Sequence, residues 1–361
     1  MPARKSSSNK VSKIVPLVNQ LKKRLVRVPL VMIALTSRCN SQCLMCSYWK
    51  SEKQDFPEQF LTPLAADLAT LKCQSVGLTG GEPLLHPHFE KIIAALKHQK
   101  RTLFLITNGT LLEQKYNDQL FENFKAIYVS LDGPDALTHD AIRGQGAFLN
   151  MSTGINYLKS KKPSIPLIAR CTIQKKNWRL LPNIVETAFQ QGFDAISFVS
   201  VDSYSHAYGQ KNSVPATTLT EIVPSQDDIS EMSKYQAELL ARLKIYFQKK
   251  FILEAPEKIL TMFDYLAAVA GKSSFPPVFC NAPLFSLFIN QQAEVSPCFF
   301  RPPIGSLHNG RLIPLLNQQT YSKIRIDEQV YQTYCRTCTC ALFRGFRFPG
   351  RAFPGRAKIR T

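Results

Sequence analysis

Short apolar runs alternate with amphipathic stretches along residues 30–200. The runs are rich in Val, Ile, Leu and Phe, which favours β-strands, whereas apolar positions between them recur at steps of three or four, which favours helices. The predicted strands are residues 31–35, 75–79, 103–107, 126–131, 167–173 and 195–200. The predicted helices are residues 63–72, 88–98, 111–121, 148–159 and 180–191. Strands that alternate with helices form parallel sheets, so we predict an α/β fold in which six β/α units make a partial (β/α)6 TIM-like barrel.

A basic amphipathic helix is predicted before this segment. Apolar residues recur there at helical steps, at Ile14, Leu17, Leu21, Leu25 and Val28. Lys and Arg occupy mainly the other faces, and Pro29 ends the pattern. We expect the helix to pack against the main domain. Docking on a membrane surface or on a partner protein is the alternative.

The pattern changes again in the last third of the chain. Ser225 and Asp228 have capping-box spacing and begin a predicted long helix that ends near residue 248. Past Pro276, short runs are punctuated by Cys, Pro and Gly, which indicates a small metal-stapled domain. We therefore divide the chain into a basic arm and helix at 1–29, a barrel at 30–250, a small cysteine-containing domain at 251–340 and a basic flexible tail at 341–361.

Charge and cysteine content narrow the class of protein. The formal net charge is +19, but residues 1–27 hold eight Lys or Arg and residues 341–361 hold six, with no acidic residue in either segment. Basic ends are typical of solvated arms, whereas a nucleic-acid enzyme more often carries a basic stripe on its folded face. The ten cysteines lack the short chain and signal peptide of a disulfide framework, and no apolar run reaches membrane-spanning length. We expect a soluble, reduced, cytoplasmic protein.

Three cysteines, Cys39, Cys43 and Cys46, follow the first predicted strand within eight residues. A loop this short can give thiolates to three irons of a cubane and leave the fourth iron open. Structural zinc normally needs a fourth protein ligand, and complete ferredoxin-type clusters also use four thiolates. The pattern therefore favours a cluster with an open position for a chelating cofactor.

Polar, glycine-containing segments follow the second, third and fourth predicted strands. They are residues 79–83 (Thr-Gly-Gly-Glu-Pro), 107–109 (Thr-Asn-Gly) and 130–133 (Ser-Leu-Asp-Gly). Parallel α/β folds place their chemistry at these carboxyl ends. Asn-Gly and Asp-Gly are also ordinary turn dipeptides, so the argument rests on all of the segments occurring in register with successive strands.

The cysteine spacing and these segments together resemble the radical S-adenosylmethionine (SAM) superfamily over about residues 30–200. The resemblance implies a 4Fe–4S cluster on Cys39, Cys43 and Cys46, reductive cleavage of S-adenosylmethionine, and a deoxyadenosyl radical that abstracts hydrogen from substrate. It also implies cofactor-binding residues: Gly80, Gly81 and Glu82, with the Glu82 carboxylate on the methionine ammonium, and Thr107, Asn108 and Ser130 on the ribose or carboxylate.

A second cysteine group follows residue 279. Cys280, Cys298, Cys335 and Cys338 provide the four thiolates that a complete cubane or a tetrahedral zinc needs. Within a radical SAM protein the arrangement resembles a twitch or shortened SPASM domain, which implies a second, auxiliary 4Fe–4S cluster, with zinc as the alternative. Cys340 is an alternative ligand to Cys338. A full SPASM pattern carries seven cysteines, from which this chain departs.

The substrate is the least specified feature. The loop after the last predicted strand offers His206 as a proton acceptor, and Arg170 on the fifth strand is a candidate partner for a carboxylate. We expect oxidation of a small molecule aided by the auxiliary cluster, because about 30 residues precede the first strand, too few for a peptide-binding domain. Peptide or protein modification is the alternative enzyme function, and a zinc or nucleic-acid binding module is the non-enzyme alternative. A flavodoxin- or ferredoxin-like reductant is one candidate partner for the basic tail, and RNA or an anionic membrane are the alternatives.

Overall fold

A computed structural model describes residues 8–97, 101–161, 164–205, 207–209, 214–340 and 342–343. His206 and nearly all of the predicted basic tail lie outside the described residues. The strands are β1 (Leu30–Ala34), β2 (Ser75–Thr79), β3 (Thr102–Thr107), β4 (Phe124–Ser130), β5 (Leu167–Ile173), β6 (Ala195–Ser200), β7 (Ser286–Ile289), β8 (Glu294–Ser296) and β9 (Gly305–Ser306).

All nine strands form one sheet, in the order β6-β5-β4-β3-β2-β1-β7-β8-β9. The first seven strands pair in parallel, while β8 and β9 pair antiparallel. The predicted α/β class and the six consecutive parallel strands are confirmed. Because neighbouring parallel strands end at the same edge, the loops that follow β1 to β6 meet there.

The helices are α1 (Ser8–Lys22), α2 (Leu61–Thr70), α3 (Phe89–Leu96), α4 (Leu112–Lys115), α5 (Asp118–Phe121), α6 (Ala136–Arg143), α7 (Ala147–Ser160), α8 (Leu181–Gln190), α9 (Ala216–Ile222), α10 (Gln226–Gln248), α11 (Pro256–Val269), α12 (Leu312–Leu315), α13 (Gln318–Ile324) and α14 (Glu328–Val330), followed by a π-helical turn at Tyr331–Cys335. The capping box predicted for α10 is present, with Ser225 and Asp228 bonded reciprocally. The helix predicted at 111–121 is two short helices, because the Asn117 side chain caps α5.

Apolar side chains of the strands and of the inner helix faces form one continuous core. Strand β6 is buried on both faces, as expected of a strand in a parallel sheet covered by helices. Trp178, fully buried before α8, is the largest side chain in this core. The core fixes the strands relative to one another, so the positions at which the polar loops leave the carboxyl ends of the strands are also fixed.

The N-terminal helix packs through a different face from the predicted one. Val15 and Asn19 are buried, whereas Ile14, Leu17 and Leu21 are exposed. Asn19 determines this orientation, because its amide donates to the carbonyl oxygens of Leu284 at 2.8 Å and Arg27 at 2.7 Å. The helix also ends at Lys22, so Leu25 and Val28 belong to the following loop, where both are buried.

Strand β7 is an element that the sequence pattern did not predict. It adds to β1 in parallel, with Leu30 opposite Ser286 and Ile33 opposite Ile289. The segment that carries the second cysteine group is therefore hydrogen-bonded to the first strand of the sheet. Across the ranges described above, no helix has the length and apolar character needed to cross a bilayer.

Candidate active site

The loop after β1 carries the first three cysteines and is fixed by the Gly-Gly-Glu segment that follows β2. The backbone N–H of Gly81 donates to the Thr36 carbonyl at 2.7 Å, and that of Glu82 donates to the Arg38 carbonyl at 2.7 Å. A Cβ on Gly81 would lie 2.2 Å from the Arg38 oxygen, so only glycine permits this approach. The motif thus supports the cysteine loop directly.

Cys39, Cys43 and Cys46 all lie on the wall of one cavity of about 340 Å³. Burial raises the pKa of Cys39 to about 11 and that of Cys46 to about 12, and it also raises the pKa of Cys43. The Ser41 N–H donates to the Cys39 sulfur at 3.5 Å, and the Arg143 guanidinium donates to the Cys43 sulfur at 3.8 Å. These donors favour thiolates, the form that binds iron.

Glu82 is fully buried and does not lie on the cavity wall. Its Oε1 accepts hydrogen bonds from the Thr107 hydroxyl at 2.8 Å and the Leu84 N–H at 3.1 Å, and its Oε2 accepts one from the Asn108 N–H at 2.8 Å. Burial outweighs these bonds and raises the pKa of Glu82 to about 7. In this structure the carboxylate holds the end of β3 in place and makes no contact across the cavity.

Five of the six residues predicted to bind the cofactor lie on the cavity wall: Gly80, Gly81, Thr107, Asn108 and Ser130. Asn108 ties the end of β3 to the cysteine loop, because its amide donates to Asn40 Oδ1 at 2.8 Å and to Ser41 Oγ at 3.0 Å. The polar ends of β2, β3 and β4 therefore meet beside the three thiols, as the sequence predicted from their register.

Asp132 and Arg143 form a buried ion pair that the sequence analysis did not predict. The Arg143 Nε lies 2.6 Å from Asp132 Oδ2, and Asp132 Oδ1 accepts from the Thr172 N–H at 2.6 Å. Arg143 ends α6, an eight-residue helix that the sequence analysis did not predict. The available signal was Asp132 in the Ser-Leu-Asp-Gly segment, which the sequence analysis interpreted as one of the polar segments after successive strands, with an ordinary Asp-Gly turn as the alternative.

The second cysteine group lies on the wall of the same cavity, with Cys280, Cys298, Cys335, Cys338 and Cys340 all exposed to it. Backbone N–H groups donate to the sulfurs of Cys280 and Cys338, from Ala282 and Cys340 respectively, both at 3.4 Å. Burial raises the pKa of Cys335 to about 11 and that of Cys298 to about 12. The thiols of Cys280, Cys298, Cys335 and Cys338 lie close enough to influence one another electrostatically, because the charge of a neighbouring sulfur acts on each of them.

The donor sets fit iron–sulfur clusters. Within the described ranges, no three His, Cys, Asp or Glu side chains are placed to hold one metal ion. A cubane binds each thiolate through a different iron, so its ligands do not converge on a single point. The first group offers three thiols beside an open polar wall, and the second offers four or five thiols.

The remaining wall residues have mixed character. Arg170 lies there, and its Nη1 donates to the Ser197 hydroxyl. The Glu254 carboxylate forms an ion pair with the same nitrogen at 4.0 Å. Asp202 carries the only carboxylate among the described residues of the wall. Tyr208 packs against Phe299 at 5.0 Å between ring centroids, and its carbonyl accepts from the Ser47 N–H at 2.9 Å.

The fold is of the α/β barrel type, and its cavity is lined by two groups of cysteine thiols. This combination is typical of enzymes that hold metal clusters. A sequence model described as the Radical SAM superfamily matches residues 33–172, and one described as an iron-sulfur cluster-binding domain, SPASM, matches residues 280–339. The chain thus contains a radical SAM domain at residues 33–172 and a SPASM domain at residues 280–339. Radical SAM domains bind a 4Fe–4S cluster and S-adenosylmethionine, and SPASM domains bind auxiliary iron–sulfur clusters.

Several curated proteins are similar in sequence. Pre-heme d1 synthase of Dinoroseobacter shibae is 33% identical over 172 residues, which cover 46% of this chain and 42% of that protein. Fe-coproporphyrin III synthase of Methanosarcina barkeri is 27% identical over 265 residues, which cover 68% of this chain and 64% of that protein. The antilisterial bacteriocin subtilosin biosynthesis protein AlbA of Bacillus subtilis is 24% identical over 285 residues, covering 76% and 56%. The chain thus spans 42–64% of the length of these relatives.

Solved structures share the fold. Native anSMEcpe with bound AdoMet and Cp18Cys peptide has a TM-score of 0.59 and 18% identity, covering 86% of this chain and 90% of that one. Streptococcus suis SuiB bound to precursor peptide SuiA has a TM-score of 0.58 and 13% identity, covering 90% and 73%.

Proposed function

We propose that this radical SAM enzyme binds a 4Fe–4S cluster through Cys39, Cys43 and Cys46, cleaves S-adenosylmethionine there, and oxidises a small-molecule substrate with the help of one auxiliary 4Fe–4S cluster. When bound, the cluster and S-adenosylmethionine supply the one-electron radical chemistry that removes hydrogen from substrate. The single observation that carries the proposal is that both cysteine groups lie on the wall of one cavity.

The cofactor-binding role falls to the wall residues beside the first cysteine group. Thr107, Asn108 and Ser130 present hydroxyl and amide groups to the cavity, and Gly80 and Gly81 bring backbone close to it. Glu82 acts from behind this wall, because its hydrogen bonds orient Thr107 and Asn108. We therefore expect Glu82→Ala to weaken S-adenosylmethionine binding through the displaced end of β3 as well as through the lost charge.

Two further wall residues suit substrate oxidation. Asp202 is the carboxylate that we assign to accept the proton that an oxidised substrate loses, a role for which sequence had offered His206. Arg170, about a third exposed, is the cation that we assign to an anionic group of the substrate. Both lie on the same wall as the two cysteine groups, as a substrate placed between two clusters would require.

Sequence relatives support a small-molecule substrate. Two of them, pre-heme d1 synthase and Fe-coproporphyrin III synthase, are named for tetrapyrrole products. Peptide modification is the second candidate, favoured by the similarity to AlbA across 76% of this chain. A flavodoxin- or ferredoxin-like protein is the electron donor that we propose for either case.

The activity test needs no substrate. Anaerobically reconstituted protein with dithionite and S-adenosylmethionine should form 5′-deoxyadenosine, whereas the triple variant Cys39→Ala, Cys43→Ala, Cys46→Ala should form none. Cys73→Ala is the matched control, since Cys73 is a buried cysteine outside both groups and should leave cleavage unchanged. Cleavage in the triple variant, or none in the wild-type protein, would refute the proposed function.

The substrate class can be tested by stimulation of this cleavage. An extract of the source cells, filtered to retain only small solutes and peptides, should raise the rate of 5′-deoxyadenosine formation. Stimulation that survives protease treatment supports a small molecule, and stimulation that protease removes supports a peptide. With the stimulating fraction, Asp202→Asn should lower substrate turnover by about 10²–10⁴-fold while substrate-free cleavage persists.

A further inference from the structure

Arg143 brings a cation to the first cysteine group. Its Nη1 lies 3.8 Å from the Cys43 sulfur, and its side chain is only 12% exposed, so water screens the charge weakly. The side chain also lies on the wall of the cavity. A guanidinium cannot lose its proton in a protein, so this positive charge is permanent.

Asp132 fixes the direction of that cation. The carboxylate is fully buried, accepts from Arg143 Nε at 2.6 Å through one oxygen, and accepts from the Thr172 N–H at 2.6 Å through the other. The Asp132 N–H also donates to His139 Nδ1 at 3.2 Å. Because the anchor is rigid, the guanidinium edge that does not face Asp132 is held on the sulfur of Cys43.

The backbone of α6 holds the cysteine loop independently of the Arg143 side chain. The Gln42 N–H donates to the Arg143 carbonyl at 3.1 Å, and the Leu44 N–H donates to the Ile142 carbonyl at 2.9 Å. These two bonds flank Cys43 on both sides. A substitution of the Arg143 side chain therefore leaves the loop attached, and the effect of the charge can be separated from the effect of the loop.

The charge acts on the whole group of thiols. Cys39 and Cys46 lie on the same cavity wall as Cys43 and Arg143, so a weakly screened cation 3.8 Å from the Cys43 sulfur also acts on the neighbouring thiols. Arg101 is another buried arginine, but it does not lie on the cavity wall, because its guanidinium donates to the carbonyl oxygens of Leu96 and Ala65. The two arginines therefore form a matched pair for an experiment.

We propose that Arg143 is a positioning residue whose guanidinium, held on Cys43 by Asp132, stabilises the added negative charge when the first cluster takes up one electron. The inference rests on the proposed function, since it needs a cluster on Cys39, Cys43 and Cys46. One electron enters from the external reductant, no proton moves and no bond breaks. The cation lowers the energy of the more negative state and so raises the midpoint potential of this cluster.

The test is a mediated redox titration of anaerobically reconstituted protein without S-adenosylmethionine, followed by electron paramagnetic resonance. The spectrum of the triple Cys39, Cys43, Cys46→Ala variant is subtracted so that the first cluster is observed alone. At a fixed potential, Arg143→Gln should lower the ratio of reduced to oxidised cluster about tenfold, which is about 59 mV for one electron. Arg143→Lys should recover most of the lost potential, and Arg101→Gln, at a buried arginine away from the cavity wall, should leave the midpoint unchanged.

Iron content and cofactor affinity decide the other outcomes. Full iron content with an unchanged midpoint in Arg143→Gln would overturn the proposal. So would weaker S-adenosylmethionine binding with an unchanged midpoint, because Arg143 would then serve the cofactor. Loss of iron in both Arg143→Gln and Arg143→Lys would make the side chain structural, which also overturns it. If the wild-type spectrum equals that of the triple variant, the proposed function itself has failed.

Discussion

Each of the two cysteine groups lies beside one buried arginine, but the two arginines are held differently. Arg143 is fixed by the carboxylate of Asp132, at the end of a central strand. Arg301 donates to the carbonyl oxygens of Lys323 and Ile324, the latter at 2.7 Å, at the carboxyl end of α13. Both cations oppose the burial that disfavours thiolates around them. A helix end carries only a partial negative charge, whereas Asp132 carries a full one, so nearby negative charge compensates Arg301 less than Arg143.

The two groups also differ in how they are assembled. The first group lies within eight residues of one loop, whereas the second spans residues 280–340 and is brought together by β7 and the segments after it. The first site therefore depends on a local loop and its support from α6, and the second depends on long-range packing. We therefore expect that a substitution in one cysteine group removes the cluster of that group and leaves the other cluster in place.

The largest expected effect is a division of iron between the sites. Reconstituted protein should hold about eight irons, and the triple variant of Cys39, Cys43 and Cys46 should hold about four. Cys298→Ala should also lower iron content toward about four, yet retain S-adenosylmethionine cleavage. Iron analysis with an assay of 5′-deoxyadenosine checks both. Loss of all iron in the triple variant would show that the sites are coupled.

The second group offers a finer comparison between neighbouring thiols. Cys338 receives an N–H···S bond at 3.4 Å and lies in electrostatic contact with Cys340, Cys280 and Cys298. Cys340 also acts on Cys280, but it lies in addition near the cations Arg170 and Lys258. We expect Cys338→Ser to lose the auxiliary cluster and Cys340→Ser to keep it, as measured by iron content. Equal losses would mean that the two thiols serve interchangeably.

The ion pair between Asp132 and Arg143 should contribute measurably to the free energy of unfolding. Asp132→Ala leaves the buried Arg143 without its carboxylate, which should cost about 3–5 kcal/mol of the free energy of unfolding. Glu231→Ala, which breaks an exposed pair with Arg179, is the control and should cost far less. Chemical denaturation of both variants measures the difference. Similar losses would show that the Asp132 pair contributes no more than a surface pair.

A smaller effect is expected from the pH dependence of stability. Glu82 has a pKa of 4.5 as a free side chain and about 7 in the fold, so the folded state binds its proton more tightly. Stability should therefore fall as pH rises from 4.5 to 7, by about 3 kcal/mol, with the full loss present above pH 7.

Glu82→Gln removes that titration, so the difference between the variant and the wild-type protein isolates it. Burial lowers the pKa of His139 to about 3, which acts in the opposite direction and is common to both proteins. Denaturation curves at several pH values give the difference. Parallel curves for the two proteins would contradict the raised pKa.

The strands of the sheet could be predicted from the sequence, because they depend on local apolar pattern, and the first cysteine group was proposed from spacing within a single loop. Five of the predicted cofactor residues meet beside that group because parallel strands end at one edge. The pairing of Arg143 with Asp132 was missed, since α6 is short and polar and the contact needs the folded sheet. The position of Glu82 behind the cavity wall could not be predicted from the sequence either, because it depends on hydrogen bonds that the Thr107 hydroxyl and the Asn108 N–H donate to its carboxylate.

The C-terminal region was harder to predict for the same reason. Strand β7 has only four residues, and its partner β1 lies some 250 residues earlier in the chain. The buried face of α1 was misassigned because Asn19, a polar residue, makes the anchoring contacts and an apolar pattern cannot reveal it. Long-range hydrogen bonds determined both features.

The most direct test of the account is the electron paramagnetic resonance spectrum of the reduced protein with and without S-adenosylmethionine. The account predicts two cluster signals, of which one changes shape when S-adenosylmethionine binds at its open iron. That signal should be absent from the Cys39, Cys43, Cys46→Ala variant, and the other should remain unchanged there. A spectrum that S-adenosylmethionine does not alter, or a cofactor-sensitive signal that survives in the triple variant, would contradict the central claim.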